Sequence, residues 1–157
     1  MMESEGGVSK NWDYYRCRVG NDLASIYLDL GIAVDAPMTA LPHSAMLRVT
    51  MLSPSEKGVS TDEEFDALIA LEDDLFARLH GGDARYVGRI TTRGQRIFYF
   101  YCAEPDAFAR DAAEAMKQHP NYSFDVGKRS DPNWSTYFDF LYPNPNDYQR
   151  ICNRRLN

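Results

Sequence analysis

Cysteine is sparse and scattered. Cys17, Cys102 and Cys152 are odd in number and form no Cys-x-x-Cys pair, so neither a disulfide framework nor a zinc-ribbon spacing is present. His43, His80 and His119 lie far apart with no His-x-x-x-His, so no metal site and no cofactor are expected. No apolar run approaches the ~20 residues that cross a bilayer, so a membrane partner is not expected. Gly-x-x-x-x-Gly-Lys and Gly-x-Gly-x-x-Gly are both missing, which removes the phosphate-cradling loops. Gly-x-Ser-x-Gly is missing too. Ser44 directly follows His43, and neighbours on a strand point to opposite faces, so the two do not make a dyad. The first residues, Met1 to Gly7, have no basic or apolar stretch of a secretory signal. Residues 1–10 read as a loose tail, 11–157 as a single α+β domain, and the unpaired thiols fit a reducing cytoplasm.

Positive charge is also short. Lys and Arg number 17 against 23 Asp and Glu, for a net charge of -6. Such a chain repels phosphate backbones as a whole, so direct nucleic-acid binding is disfavoured. The imbalance concentrates in one stretch. Glu56, Asp62, Glu63, Glu64, Asp66, Glu72, Asp73 and Asp74 face Lys57 alone, while Arg150, Arg154 and Arg155 gather near the C-terminus.

What is abundant is aromatic: 13% of the chain, with 10 Tyr, 8 Phe and 2 Trp. Trp12–Val19 and Leu23–Leu30 alternate around Gly20-Asn21 and predict a hairpin. Ala45–Leu52 predicts a third strand. Ser60-Thr61-Asp62-Glu63 has the capping-box pattern, and Phe65, Leu68, Ile69, Leu75, Phe76 and Leu79 recur at helical spacing behind it. Tyr86–Thr92 and Gln95–Cys102 predict a second hairpin. Ile97 to Tyr101 is apolar or aromatic throughout, as in a strand covered on both faces. Pro105 opens a helix to Gln118, Tyr122–Val126 alternates as a strand closed by Gly127, and Trp134–Tyr142 reads as one more strand. Asn144-Pro145 starts a last helix. The overall order is β-β-β-α-β-β-α-β-β-α. Its middle, Ala45 to Val126, predicts a ferredoxin-like split β-α-β sandwich, an α+β fold with both helices on one face.

Glu72 falls on the apolar side of the first helix, where a carboxylate needs a partner; Arg89 or Arg48 on a strand can supply it. Arg89, Arg93 and Arg96 stand near Tyr99 and Tyr101, a basic-aromatic mixture that could stack RNA bases only on an exposed face.

Glu63-Glu64-Phe65-x-x-Leu68-x-x-Leu71-Glu72, then Tyr86-Val-Gly-Arg-Ile-Thr-Thr92 with Arg96-x-Phe98-Tyr99-Phe100-Tyr101, then Asp131-Pro-x-Trp134-x-x-Tyr137-x-x-Phe140-Leu-Tyr-Pro143 with Asn153-Arg154 form a specific combination. Together, from Trp12 to Arg155, they resemble the bacterial domain-of-unknown-function family 695. The resemblance implies a relation to the regulator of ribonuclease E activity B, a small acidic protein that inhibits an RNA-degrading endonuclease by binding it. It implies an α+β ferredoxin-like module and an inhibitory role, and it carries no catalytic residues.

The chain is therefore expected to be a non-catalytic regulatory or inhibitory module. It would bind a protein partner, such as a ribonuclease or a toxin, through Asp62, Glu63, Glu64, Asp66, Asp73 and Asp74. An aromatic patch of Trp134 and Tyr137, rimmed by Asp139, Arg154 and Arg155, would be a second contact surface. The alternative is a hydrolase or nuclease with a carboxylate-arginine pocket at Arg48, Glu72, Arg89 and Tyr99, beside Trp134. A third class is a homo-oligomer that pairs the Trp134–Tyr142 strand with its own copy.

Overall fold

The computed structural model describes residues 11–157, so the tail expected over 1–10 lies outside the described residues. Alternation in the first aromatic stretch gives β1 (Trp12–Val19) and β2 (Asp22–Asp29), paired antiparallel. A loop with a 3₁₀ turn at Gly31–Val34 leads to β3 (His43–Thr50). Then come α1 (Asp62–Leu79), β4 (Ala84–Thr92), β5 (Gln95–Cys102), α2 (Pro105–Met116), β6 (Phe124–Ser130) and α3 (Pro145–Leu156). The strands form one six-stranded sheet in the order β1-β2-β4-β5-β3-β6, with every neighbouring pair antiparallel. No described helix is long and apolar enough to cross a membrane.

The two faces of the sheet are covered by different material. On one face, Leu68, Leu71, Leu75 and Leu79 of α1 and Phe108, Ala112, Ala115 and Met116 of α2 pack on Leu47, Val49, Phe98 and Phe100. On the other, Ile26, Leu28, Ile90 and Tyr101 lie under Ile32, Leu41, Trp134, Tyr137, Leu141 and Ile151. This is why β5 is apolar at successive positions: Phe98 and Phe100 serve the first layer, Tyr101 the second.

The strand expected over Trp134–Tyr142 is not one. Residues 131–135 form a tight turn and Thr136–Leu141 a π-helical segment, so this stretch offers no strand edge to a second copy. The cause is Asp131. Its buried carboxylate accepts from Ser135 N (2.9 Å), Ser135 Oγ (2.7 Å), Thr136 N (3.0 Å) and the Tyr101 hydroxyl (2.6 Å). A side chain that satisfies several local amides competes directly with a sheet ladder. Trp134, at φ 58°, stacks on Tyr101 with centroids 4.0 Å apart and donates Nε1–H to Leu41 O. Tyr137 and Tyr15 place their hydroxyls on Asp29 O and Leu141 O, both at 2.6 Å.

Two smaller expectations also shift. β6 continues through Gly127, which sits opposite Met46 in the ladder, and Tyr122 precedes the strand. The cap of α1 is Thr61, one residue beyond Ser60, with its hydroxyl donating to Ser53 O at 2.7 Å. Glu64, third in the helix, reaches away from the cap, accepting from Leu52 N and Ser53 N, each at 2.8 Å. The box is thus replaced by a clasp between the helix start and the end of β3. The intervening loop also seats on the β4–β5 turn: Gly94 N donates to Gly58 O, and Gly58, at φ +83°, has no room for a Cβ, which would lie 2.8 Å from Arg93 N.

Burial raises the Asp131 carboxyl, but its hydrogen bonds from Tyr101, Thr136 and Ser135 outweigh this and hold it well below the usual carboxylate range. Its contribution to stability is therefore complete above the ordinary carboxylate pKa and is lost as pH falls through that value toward the folded one. Asp131→Asn is expected to cost ~2–3 kcal/mol at neutral pH. In urea denaturation the gap between wild type and variant should narrow below about pH 4; a constant gap would refute the assignment.

Candidate functional site

α1 and α2 do not roof the whole of their face. Over β1 and β2 the sheet stays open beside α1, leaving a cleft of about 680 Å³. Trp12, Ser25 and Tyr27 line it from the sheet, and Phe65, Ile69, Asp73 and Phe76 from the helix. Glu72, Tyr86, Arg89 and Arg96 form its charged end. Its aromatic rings form a chain: Trp12 lies 5.0 Å from Tyr27 and 5.2 Å from Tyr86, and Phe76 meets Tyr86 at 6.3 Å edge-on.

A β-bulge assembles the charged part. Tyr86 and Arg89 are three apart and in a regular strand would face opposite ways. The register against β5 slips between Tyr86 and Gly88: Tyr86 pairs with Phe100, Gly88 with Tyr99, and Arg89 with Phe98. The extra residue, Val87, packs into the opposite layer. Both Tyr86 and Arg89 thereby meet one carboxylate. Arg89 Nε donates to Glu72 Oε1 at 3.0 Å and the Tyr86 hydroxyl to Oε2 at 2.6 Å. Arg89 also lies 4.8 Å over the Tyr27 ring. Burial first, then the neighbouring Glu72 charge, pushes the Tyr86 hydroxyl well above its ordinary value, so it stays a donor. Gly88 is required here because a Cβ would stand 2.9 Å from Tyr27 O.

Arg96 is the unusual member. It is 3% exposed. Nε donates to the Thr91 hydroxyl at 3.0 Å, while Nη1 is enclosed without a hydrogen-bond partner among the described residues. Burial, with Arg89 beside it, brings its guanidinium down to about 10, against the opposing pull of Glu72, Tyr86 and Glu64.

Of the expected pocket, only Glu72 and Arg89 come together. Arg48 instead pairs with Asp125 at 2.9 Å on the opposite face of the sheet. Tyr99 is on that face too, 6.0 Å from Phe140, and Trp134 belongs to its core. The basic-aromatic RNA platform does not form either: Arg89 and Arg96 face α1, Tyr99 and Tyr101 face away, and Arg93 pairs with Asp22.

The expected partner surfaces divide. Asp62, Glu63, Asp66 and Asp73 are exposed on the outer side of α1 and make no ion pair among the described residues. Glu64 is buried, receiving the Tyr122 hydroxyl at 2.7 Å besides the two loop amides. Burial raises its carboxyl, but those three donors and Arg96 outweigh it and lower the pKa. Asp74 is half-buried between Arg78 (2.8 Å) and His119 (2.7 Å). Both groups are thus already engaged within the fold. Trp134 and Tyr137 are fully buried, so no aromatic partner patch exists at those positions; the exposed rings nearby are Phe138, Phe140 and Tyr148. Arg154 and Arg155 both clamp Asp13 of β1, at 2.6 and 2.7 Å. Asp139 lines a separate cleft of about 590 Å³ with Met46, Tyr99, Arg129 and Phe140.

Sequence reasoning missed Trp12, Tyr27, Tyr86 and Arg96 as cleft residues. One signal was present: a glycine inside the strand pattern Tyr86-Val-Gly-Arg89 marks a bulge or a close backbone approach, and here it marks both. Among the described residues, no three His, Cys, Asp or Glu side chains gather as a metal site.

Two substitutions check this geometry. Tyr86→Phe removes one donor from a buried carboxylate and is expected to cost ~1–3 kcal/mol. In a double-mutant cycle with Arg89→Met, the two should couple by more than ~0.5 kcal/mol through Glu72. Additive losses in chemical denaturation would break the proposed triad.

Comparison with curated proteins found no match, and comparison with solved structures found none. A family model does match, over residues 10–142, and its description is "Family of unknown function (DUF695)". That span covers the whole sheet, both helices of the first face and the Asp131 turn, and on it the chain belongs to the DUF695 family.

Proposed function

We propose that this chain is a non-catalytic binding module that regulates or inhibits a basic protein partner. The outer side of α1 carries the proposal: Asp62, Glu63, Asp66 and Asp73 stand exposed on one rigid helix with no cation paired to them among the described residues. Asp62 and Glu63 also complement the helix N-terminus, but Asp66 and Asp73 lie beyond the first turn, where an unpaired acid suits a complementary surface. An acidic face of this kind can occlude a basic nucleic-acid groove, which makes a ribonuclease or a comparable toxin the fitting class of partner. A relation to the regulator of ribonuclease E activity B, which the family resemblance implies, would point the same way. The carboxylate best placed for acid-base work, Glu72, has both oxygens engaged by Arg89 and Tyr86, which supports binding over hydrolysis.

The ferredoxin-like reading belongs to the same proposal. Its support is the central order β4-β5-β3-β6, in which α1 links β3 to β4 past β5 and α2 links β5 to β6 past β3. The three cysteines, all unpaired, support a reducing cytoplasm.

The test is affinity purification from the native cell, wild type against Asp62→Lys/Glu63→Lys/Asp66→Lys. A partner should be retained by wild type and lose tenfold or more in affinity for the variant. The wild-type affinity should also fall between about 50 and 300 mM salt. Equal retention by both proteins would end the proposal.

A further inference from the structure

The cleft beside α1 has one unmet requirement, and its sign is informative. Every acceptor at its charged end is engaged: Glu72 by Arg89 and Tyr86, and nearby Glu64 by two amides and Tyr122. The unmet group is a donor. Arg96 carries a buried positive charge with no carboxylate within ion-pair distance among the described residues, and its Nη1 has no acceptor. An unpaired buried guanidinium is costly, and an incoming anion removes that cost. Lys is no substitute, since the planar fork can present two parallel N–H groups to a carboxylate or phosphate.

Much of the remaining lining is aromatic. Trp12, Tyr27, Phe65 and Phe76 border a volume of about 680 Å³, within the ordinary range for a small-molecule site. Phe65 is 50% exposed at its rim, an aromatic ring held in water beside an open cavity. Asp73 also lines the cleft and Glu72 sits within it, so the site has acids as well as arginines. Glu72 is neutralised by Arg89 at 3.0 Å; Asp73 is exposed, where water screens it.

We propose that this cleft binds a small aromatic anion, its carboxylate or phosphate directed to Arg96 and Arg89 and its ring packed among Trp12, Tyr27, Phe65 and Phe76. The cleft shares only Asp73 with the acidic side of α1, and Asp62, Glu63 and Asp66 lie outside it, so either proposal can fail alone.

Calorimetric titration of the whole chain with four probes tests it. Adenosine 5′-monophosphate and benzoate carry a ring and an anion, inorganic phosphate an anion without a ring, and benzylamine a ring of opposite charge. At least one of the first two should bind saturably, and phosphate and benzylamine at least tenfold more weakly; which of the two binds distinguishes a phosphate-bearing from a carboxylate-bearing ligand. Arg96→Gln should weaken binding at least tenfold. Phe65→Ala, at an exposed rim position that does not threaten the fold, should weaken it several-fold, while Asp62→Lys/Asp66→Lys should not weaken it. Binding should also change the emission of Trp12, and Trp12→Phe should abolish that change, because Trp134 is sealed on the other side of the sheet. No binding by either anionic ring, equal binding of benzylamine, or indifference to Phe65→Ala would each overturn the proposal.

Discussion

A single carboxylate between helix and sheet organises one side of this molecule. Glu72 is 8% exposed on the inner side of α1, where an unpaired charge would be prohibitive. It is tolerated because β4 is bulged, and the bulge turns Tyr86 and Arg89 toward the same point. Helix position, strand register and cleft shape are thereby coupled. If Arg89 leaves, Glu72 is stranded; if the register reverts, Tyr86 or Arg89 turns away. Arg96, packed within reach of the fields of Glu72 and Glu64, completes a group whose charges were ordered by the fold.

The opposite side of the sheet is held by different chemistry. There Trp134 stacks on Tyr101, Tyr137 reaches Asp29 O, and the buried Asp131 carboxylate accepts from neutral donors at close range. Arg129 stands 3.8 Å away and gives its hydrogen bonds to Ser135 and Thr136. One side thus depends on ion pairing at a bulge, the other on aromatic stacking around a capped turn. α1 is the element that serves two purposes: its inner side builds core and cleft, while its outer side presents acids to solvent.

Much of the architecture was legible because it depends on period. The alternation in Trp12–Val19 and Gln95–Cys102 marks those strands, and the recurrence of Leu68, Leu75 and Leu79 at helical spacing marks α1. Period fails where a side chain overrides it. Trp134 to Tyr142 alternates like a strand, yet Asp131 satisfies the amides that a strand would have offered to a ladder. The same limitation applies to the site. The apolar setting of Glu72 and its need for Arg89 are local facts of charge and helix face, and they could be read. That Tyr86 joins Arg89 on the face toward α1 follows from a one-residue bulge in β4, whereas Arg96 and Tyr99 point opposite ways by the ordinary alternation of β5. The acids of α1 looked alike in sequence; only loop placement separates buried Glu64 from exposed Glu63.

The clasp at the start of α1 has a consequence for how such a chain tolerates insertions and deletions. Glu64 grips the amides of Leu52 and Ser53, and Gly58 presses against Arg93, so the segment between β3 and α1 is gauged at both places. A residue gained or lost there would disengage one grip or the other. The Gly81-Gly82 bend after α1 is open, with nothing within 4 Å of where a side chain would begin. Changes of chain length in this scaffold are best accommodated at that bend, and the approach to α1 is the place where length is fixed.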